Sequence, residues 1–501
     1  MQSNLKQKKP RISAKKKIIS VTNDNYNFVQ LFDKILIDIA DFASNLKVDI
    51  YLVGGSVRDM LLKRQSTDFD FTVVGDSISF AKKLAKKFKT KAVIYERFRT
   101  ALVPVDNYKL EFVGTRKEIY ESNSRNPKVT EGTLEDDLKR RDFTINSMAI
   151  ALNGDITGKI IDLFGGLKDL KLKILKTPLD PYLTFSDDPL RMLRAARFAS
   201  QLNFEIEENC LQAIKQMAER IKIISQERIT DEFLKILKSD KPSVGLMILQ
   251  QTGLLKYIFP ELNELAGVDY YYENGKEIGH KDVFLHTLKV LDNLSTKSDN
   301  VWLRFAALTH DIAKPRTKKY IKGTGWTFWG HEELGAKMIN KIFHRMKLPL
   351  DHLNYVETII RLHQRPMVLV GSEVTDSALR RLAFQAGDAL EDLFTLCRSD
   401  ITTNNPRLST KYLSNYDRVA EKILQVQEKD KLREFQSPVR GEEIMTICNI
   451  EPSPAVGYIK KAIEEAILDG IIANDYDEAK KYLLDNKDSW IKEIDNRSNK
   501  S

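Results

Sequence analysis

The strand signals of this chain all fall before about residue 160, and this uneven distribution most constrains its fold. Helical spacing of apolar residues is found at 25–46, and short helices are predicted at 57–63 and near 81–87. From about Asp187 onwards only helical periodicity remains, interrupted by glycine- and proline-rich breaks at 267–279 and 323–330. The sequence therefore predicts a multidomain chain with a small α/β unit followed by an all-α remainder. Runs typical of strands occur at 49–53, 69–74, 91–95, 100–105 and 109–113.

A length of 501 residues exceeds what one hydrophobic core usually organises, so several domains are expected. The chain has no apolar run long enough to span a membrane and no secretory signal core. Its three cysteines are far apart, without metal-ligand spacing or a disulfide framework. A cytoplasmic protein with no membrane contact and no evident protein partner is expected. The predicted segments are a basic leader (1–24), an α/β head (25–160), a helical neck and body (161–275), a second helical domain (276–402) and a helical tail (403–501).

Positive charge is concentrated at the N-terminus. Residues 1–20 hold seven basic side chains and no acid, so only about +2 of the formal charge of +9 remains for the other residues (9 − 7). Such an arm suits phosphate backbones through counterion release, and it fits a solvated, disordered leader equally well. Nucleic-acid binding must therefore be inferred from local sites.

Two motifs of the head are candidate phosphate-binding sites. The sequence GGSVRD at 54–59 lies between a predicted strand and a predicted helix, where small residues and a helix N-terminus favour an anion and Arg58 adds a charged donor. The sequence RRDFTIN at 140–146 contains Arg141 and Asp142, which would suit a clamp on phosphate and ribose. A tight turn and a charged surface, respectively, explain these patterns too, so each signal is weak alone.

Two aspartates begin the predicted strand that follows GGSVRD. Asp68 and Asp70 lie two residues apart, so their carboxylates share one face while Phe69 faces the other. Two adjacent oxygen ligands are what Mg²⁺ bound to a nucleoside triphosphate needs. Glu111, on a later predicted strand, is a candidate third carboxylate. Acids at a strand end are often merely solvated, and it is the upstream GGSVRD that favours a metal site.

The sequence DDPLRMLRAARF carries a second set of arginines. Ser186 is predicted to cap a helix with a proline in its first turn, which places Asp188 and Arg191 three apart on one face. A carboxylate and a guanidinium together can read a base edge. Arg194 and Arg197 continue the three-residue spacing and could reach a triphosphate. An ordinary capped helix with a basic side gives the same pattern.

In order and spacing, GGSVRD, DFD, RRDFTIN and DDPLRMLRAARF resemble the motifs of class II tRNA nucleotidyltransferases and bacterial poly(A) polymerases. These enzymes belong to the polymerase-β-like nucleotidyltransferase superfamily. The resemblance covers roughly residues 50–200 and implies a catalytic metal site at Asp68 and Asp70. It also implies attack of an RNA 3′-hydroxyl on the α-phosphorus of CTP or ATP. The residues that it assigns to nucleotide binding are Gly55, Arg58, Arg141, Asp142, Asp188, Arg191, Arg194 and Arg197.

In that family a pair of acids followed by an arginine is an amino-acid template for the incoming base. Asp188 and Arg191 would hold these roles here. The family usually has Glu where this chain has Asp187. That position is thought to orient the arginine, so the shorter side chain changes its expected geometry.

Four of the seven histidines and two acids follow the order H…HD…H…H…D in or beside predicted helices. Imidazole nitrogens and carboxylates suit one or two transition-metal ions, although a lone histidine is more often a surface or core residue. The sequence LTHDIAKP at 308–315 resembles HD-superfamily metal-dependent phosphohydrolases, with Ala313 in place of their usual glycine. This resemblance implies a phosphodiesterase or phosphatase that acts on damaged 3′ ends. The predicted ligands are His286, His310, Asp311, His331, His363 and Asp400.

The tail contains a Pro-bounded turn and helix start at 450–461, similar to the part of the same family that grips tRNA away from its 3′ end. We therefore expect CCA addition to tRNA from CTP and ATP, with Mg²⁺ in the head and a divalent transition metal at the histidines. A poly(A) polymerase shares the four motifs. An HD phosphohydrolase with an RNA-binding head is a third reading, against which the intact Asp68 and Asp70 argue.

Overall fold

The structure is a computed structural model, and it divides into two compact units, Met1–Ile224 and Ser225–Ser501. The predicted leader at 1–24 lies outside the described residues. No helix in the described ranges is both long and apolar enough to cross a membrane. The structure describes residues 30, 32–96, 99–119, 128–267, 270–273, 276–279, 282–322, 325–371, 374–430 and 437–498.

Strands of the first unit form one large sheet and two small ones. They are β1 Ile50–Val53, β2 Asp68–Val73, β3 Val93–Tyr95, β4 Thr100–Val105, β5 Tyr108–Gly114, β6 Arg116–Ile119, β7 Lys128–Glu131, β8 Met148–Ala151, β9 Ile160–Asp162, β10 Ile174–Leu175 and β11 Glu205–Ile206. The large sheet has the order β3-β4-β5-β2-β1-β8-β9. In this sheet β2 and β5 are parallel, and the other neighbouring strands are antiparallel.

Helices cover both faces of the large sheet. The helices of the first unit are α1 Lys34–Leu46, α2 Gly55–Leu61, α3 Ser77–Lys87, α4 Leu134–Lys139, α5 Gly166–Leu172, α6 Pro181–Asp187, α7 Leu190–Leu202 and α8 Glu208–Met217. On one face Phe69 and Phe71 of β2 share a core with Leu36 of α1 and Phe80 of α3. On the other face α4 packs through Leu138 against β1 and β8. Because side chains alternate along a strand, the even-numbered residues of β2 point towards the α4 side.

The second unit is mainly helical. Its helices are α9 Gln226–Leu237, α10 Pro242–Gln251, α11 Leu254–Ile258, α12 Pro260–Asn263, α13 Val283–Ser295, α14 Val301–Thr309, α15 Lys314–Thr317, α16 His331–Met346, α17 Leu353–Leu362, α18 Arg365–Val368, α19 Asp376–Ala386, α20 Leu390–Asp400, α21 Pro406–Asp430, α22 Gly441–Cys448, α23 Pro454–Leu468 and α24 Tyr476–Ser498. Helix α14 packs against α13, α17 and α20, and its residues from Leu303 to Thr309 are all buried. Its strands are β12 Tyr270–Glu273, β13 Lys276–Gly279, β14 Lys319–Ile321 and β15 Gly325–Thr327.

The predicted order of an α/β head followed by helical domains is confirmed, but several local predictions are wrong, since the paired strands β10 and β11 lie beyond the predicted end of the head at 160. The breaks at 267–279 and 323–330 contain strands of two hairpins, β12–β13 and β14–β15. Strands of three or four residues are too short to show a period of two. Ser186 does not cap a helix, because it lies inside α6, and the Asp188 carboxylate instead accepts the N–H of Leu190 at 3.1 Å.

Gly166 tests the packing of the head. A Cβ on this residue would lie 2.3 Å from the carbonyl oxygen of Thr144 and 2.8 Å from Cγ of Met148. We expect Gly166→Ala to lower the free energy of unfolding by about 1–3 kcal/mol, because backbone cannot yield to the added methyl group. Denaturant titration followed by circular dichroism measures this change.

Gly457→Ala on α23 is the matched control, since a Cβ there meets no atom within 4 Å. We expect it to leave stability unchanged or to raise it by about 0.5–1 kcal/mol. Equal stability of the two variants would contradict the close approach at Gly166.

Candidate active sites

Three acids of the head lie on one face of the sheet. Asp70 of β2 is in register with Glu111 of the parallel strand β5, and such partners project to the same side. Asp68 lies two residues before Asp70 and shares this face. Phe69 and Phe112, their neighbours along the strands, belong to the core on the opposite face. The sheet therefore groups the three acids that the sequence predicts as ligands of catalytic metal ions.

Negative charge and burial shift the protonation of this group. The pKa of Asp70 is raised, first because the carboxyl is buried and then by the charge of Asp68, whereas Arg141 acts in the opposite direction. The pKa of Glu111 is raised by partial desolvation and by Asp70. A divalent cation fits these three carboxylates, because it binds hard oxygen donors and neutralises their mutual repulsion. In the described ranges, however, only histidine-containing groups bring three ligand atoms within 4.8 Å of one another.

The turn between β1 and α2 approaches these acids closely. Gly54 has a φ of +70°, and a Cβ there would lie 2.6 Å from Nη1 of Arg141 and 3.4 Å from Oδ2 of Asp70. A Cβ on Gly55 would instead meet the end of the Arg58 side chain at 3.4 Å. The position that requires glycine is thus Gly54, whereas the predicted site residue of this turn is Gly55. The glycine pair was the available signal.

Ser56 of α2, which was not predicted as a site residue, holds β2, the strand that carries Asp68 and Asp70, against this helix. Its Oγ accepts a hydrogen bond from the backbone N–H of Asp70 at 3.0 Å and donates to the carbonyl of Asp68 at 3.3 Å. The side chain is buried. Ser56 therefore sets the position of β2 relative to the Gly54 turn.

Asp142 and Asn146 join two of the predicted arginines. The Asp142 carboxylate accepts from Nε of Arg194 at 2.8 Å and from the Asn146 side chain at 3.0 Å. The Asn146 oxygen accepts from Nη1 of Arg58 at 2.8 Å. Burial would raise the pKa of Asp142, but Arg194 and Asn146 hold it well below its usual value. The described contacts of Asp142 are thus internal, and they position arginines.

Asp137 is a further residue that the sequence analysis missed. This fully buried carboxylate accepts from Arg140 at 3.1 Å, from Arg141 at 3.0 Å and from the hydroxyl of Thr72 on β2 at 3.1 Å. Burial would raise its pKa, but the two arginines lower it to about 2. Asp137 therefore stays ionised and holds Arg141 beside the acids.

Phe198 lies at the centre of the arginine group. The guanidinium carbons of Arg58, Arg194 and Arg197 lie 5.0, 5.2 and 4.3 Å from the centroid of its ring. The ring also contacts Phe143 edge-on at 5.8 Å. Cation–π contacts let one buried ring gather three positive side chains. The sequence shows this phenylalanine only as the last letter of DDPLRMLRAARF.

The predicted base-reading pair occupies the junction of α6 and α7. Asp188 has an extended backbone between the helices. Arg191 is buried and donates to the carbonyls of Thr184 at 3.1 Å and Arg140 at 2.6 Å. These contacts fix the arginine near the RRDFTIN motif, and its role towards a base stays a prediction.

The six residues predicted as metal ligands in the second unit come together. His286, His310 and Asp311 form one group whose ligand atoms lie within 4.8 Å of one another, and Asp311, His331 and His363 form another. Asp311 belongs to both groups. Oδ1 of Asp400 lies 2.9 Å from Nε2 of His286.

Backbone carbonyls orient three of these imidazoles. Nδ1 of His310 lies 2.8 Å from the carbonyl of Ala307, and His331 and His363 make the same contact with Phe328 and Ile360 at 2.8 and 2.6 Å. An Nδ1–H donated in this way leaves Nε2 for a metal ion. Nε2 of His310 and Oδ2 of Asp311 are buried 3.2 Å apart, and both lie close to Oδ1 of Asp400 or Nε2 of His286. The donor set fits divalent metal ions.

Charges at this centre are strongly coupled. Burial would lower the pKa of His310, but Asp311 and Asp400 raise it to about 9. The pKa of Asp311 stays well below its usual value, because His310 and Lys314 outweigh the effect of burial. Nζ of Lys314 lies 2.7 Å from Oδ2 of Asp311. The sequence did not predict a lysine at the centre, although Lys314 lies in LTHDIAKP.

Comparison with known proteins places these sites in one family. The family described as Poly A polymerase head domain matches residues 50–176, Probable RNA and SrmB-binding site of polymerase A matches 203–265, and HD domain matches 283–391. An A-adding tRNA nucleotidyltransferase of Deinococcus radiodurans is 31% identical over 424 residues, which cover 83% of this chain and 90% of that protein. The chain belongs to the tRNA nucleotidyltransferase and poly(A) polymerase family.

A second relative agrees with this membership, and a solved structure agrees with the fold. A Multifunctional CCA protein of Shewanella frigidimarina is 33% identical over 367 residues, covering 70% of this chain and 83% of the relative. The fold resembles that of a CCA-adding enzyme in its apo form, with a TM-score of 0.60 and 22% identity over 92% of this chain and 97% of the other. This member of the family is therefore a nucleotidyltransferase with an HD domain, and both families use divalent metal ions.

Gly54 gives a test of this nucleotidyltransferase site. We expect Gly54→Ala to reduce nucleotide incorporation by at least about a hundredfold, because the methyl group would displace the Arg141 guanidinium from Asp70. Gly55→Ala is the neighbouring control, with a smaller expected loss. Incorporation of labelled nucleotides into RNA measures both. A Gly54→Ala enzyme as active as Gly55→Ala would show that the close approach is unimportant.

Proposed function

We propose that the head adds nucleotides to the 3′ end of tRNA from CTP and ATP, completing the CCA sequence. The observation that carries the proposal is the register of Asp70 with Glu111 beside Asp68, on the face that the Gly54 turn approaches. The names of the relatives, an A-adding tRNA nucleotidyltransferase and a Multifunctional CCA protein, support tRNA as the acceptor. A tRNA acceptor also agrees with the cytoplasmic location expected from the sequence.

In this proposal the acids and arginines divide the work. Mg²⁺ held by Asp68, Asp70 and Glu111 would lower the pKa of the RNA 3′-hydroxyl and offset charge on the leaving group. The bond from the 3′-oxygen to the α-phosphorus forms, the bond to the β-phosphate oxygen breaks, and pyrophosphate leaves. Arg141, oriented by Asp137, is placed to donate to the triphosphate beside Gly54.

Asp188 and Arg191 are the proposed base readers. The carboxylate of one accepts from an exocyclic amino group, and the guanidinium of the other donates to ring acceptors, which cytosine and adenine both offer. Arg194 and Arg197, gathered by Phe198 with Arg58, supply positive charge for the triphosphate.

We also propose that the tail holds the acceptor away from its 3′ end. Helices α22, α23 and α24 share a small core that includes Ile444, Ile459 and Leu483. Gly457, near the start of α23, is exposed, and a Cβ there would meet no atom within 4 Å, so a phosphate can approach the helix closely at this position.

Acceptors of defined length decide which nucleotides are added. With tRNA that ends before CCA, after the first C and after CC, we expect two labelled C residues on the first, one labelled C on the second and one labelled A on the third. An enzyme that adds only A would use only the third acceptor, and one that adds only CC only the first two. Repeated ATP incorporation into unstructured RNA would identify a poly(A) polymerase.

Asp70→Asn tests the metal role with almost no change in volume. We expect incorporation to fall by roughly a thousandfold, since a metal contribution of several kcal/mol is lost. Asp155→Asn, at an exposed aspartate of the same unit, is the control and should retain full activity. Near-normal incorporation by a folded Asp70→Asn protein would exclude the metal role of Asp70. If the wild-type protein extends no acceptor, the alternative hypothesis of an HD phosphohydrolase whose head only binds RNA is favoured.

A second activity is favoured by the histidine centre. We propose that the HD domain hydrolyses phosphoesters at RNA 3′ ends, such as 2′,3′-cyclic phosphates, with a divalent transition metal. The carbonyl-oriented Nε2 atoms and the shared Asp311 support this proposal. Imidazole and carboxylate donors together favour transition metals over Mg²⁺.

Asp311→Asn should separate the two activities. We expect loss of bound metal and of 2′,3′-cyclic phosphate hydrolysis, with nucleotide incorporation largely retained, because Asp311 belongs to both ligand groups of the HD centre. Elemental analysis and phosphate release measure the first two quantities. Asp388→Asn, at an exposed aspartate of the same unit, should change none of them. Equal loss of both activities in a folded variant would mean that the two sites act as one unit.

A further inference from the structure

The segment between Asp311 and His331 exposes three aromatic side chains. Tyr320 on β14 is 61% exposed, Trp326 on β15 is 40% exposed, and Trp329, just after the hairpin, is 75% exposed. The rings of Tyr320 and Trp326 meet edge-on at 5.3 Å. Large exposed aromatic surface in so short a segment is unusual unless it binds something.

Charge on the same segment indicates what it binds. Residues 314–330 contain five basic side chains and no acid, although the chain beyond its first 20 residues is close to neutral. Nζ of Lys318 lies 4.5 Å from the centroid of the Trp326 ring. Lys319, the first residue of β14, and Lys322, which follows β14, are both exposed. Aromatic rings interleaved with cations are the features with which proteins bind single-stranded nucleic acid. An ordinary protein interface would not need this excess of positive charge.

The segment is anchored to the HD centre. The carbonyl of Phe328 lies 2.8 Å from Nδ1 of His331. Lys314, at the other end, lies 2.7 Å from Oδ2 of Asp311, with its Nζ 5.5 Å from the Phe328 ring. The exposed aromatics therefore lie a few residues from groups that contact the proposed hydrolytic site.

We propose that Tyr320, Trp326 and Trp329 form a stacking platform for unpaired nucleotides at the 3′ end of RNA. Lys318, Lys319 and Lys322 neutralise its phosphodiesters, and the strand leads its terminal phosphate to the HD centre. This inference rests on the proposed hydrolysis of RNA 3′ ends by that centre. Paired bases do not offer their faces, so the platform selects single strands over duplexes.

Tryptophan fluorescence of the full-length protein tests the platform directly. The probe is a short single-stranded RNA oligonucleotide with a 3′-phosphate, and stacking on Trp326 and Trp329 should quench emission. We expect Trp329→Ala to weaken binding roughly tenfold, since one stacked base is lost. Trp329→Phe should keep most of the affinity but reduce the quenching amplitude. Leu424→Ala, an exposed apolar residue of α21 that is 54% exposed, is the control and should bind normally.

Hydrolysis gives the second measurement. Trp329→Ala should raise KM for the 3′-phosphorylated oligonucleotide while leaving kcat for p-nitrophenyl phosphate unchanged. Quenching without any hydrolysis would reject the proposed HD activity and keep the platform. Normal hydrolysis without quenching, equal quenching by duplex RNA, or the same KM for Trp329→Ala and wild type would overturn the platform. A protein partner would then be the better explanation of the exposed aromatics.

Discussion

The buried carboxylate of Asp137 is the interaction on which the organisation of the head depends. It accepts hydrogen bonds from Arg140, Arg141 and Thr72, and so joins the RRDFTIN motif to β2, the strand that carries the proposed catalytic acids. Removing one partner of a buried ion pair leaves an uncompensated charge and costs about 3–5 kcal/mol. With Asp137 in place, the Arg141 guanidinium occupies the space that a side chain at position 54 would need, 2.6 Å from where a Cβ on Gly54 would lie. The buried negative charge of Asp137 thus determines where the guanidinium of Arg141 lies.

The two sites use different means to present their ligands. In the head, alternation along two parallel strands groups three oxygen donors, and their mutual repulsion is balanced only in part by arginine. In the HD centre, imidazoles come from the ends of separate helices. Backbone carbonyls of those helices or of the preceding turn orient three of the rings, and the Thr402 hydroxyl lies 3.1 Å from Nδ1 of His286. Oxygen donors and imidazoles favour different metal ions, so the proposed function assigns a different ion to each site.

The sequence predicts those parts of the sites that depend on short-range geometry. Residues two apart on a strand share one face, which places Asp68 and Asp70 together. The order of histidines and acids, with its resemblance to HD phosphohydrolases, identified residues that the structure brings together, and their role as metal ligands stays a prediction. Contacts between distant segments were not predictable. Asp137 looks like a surface acid of α4, and Ser56 like an ordinary turn residue, because their partners on β2 are remote in sequence. The capping role given to Ser186 failed for a local reason, since Asp188 competes for the same helix start.

Backbone carbonyls of the protein compete with the incoming base for the hydrogen-bond donors of Arg191. The guanidinium already satisfies two backbone carbonyls, those of Thr184 and Arg140. If Arg191 reads the incoming base, that base must offer acceptors good enough to compensate for carbonyls left behind in a buried place, at a penalty of about 1–3 kcal/mol each. A base that offers poor acceptors loses this competition before any chemistry begins. The choice of nucleotide would then depend on the free energy needed to break the two Arg191–carbonyl hydrogen bonds as much as on complementarity to the base.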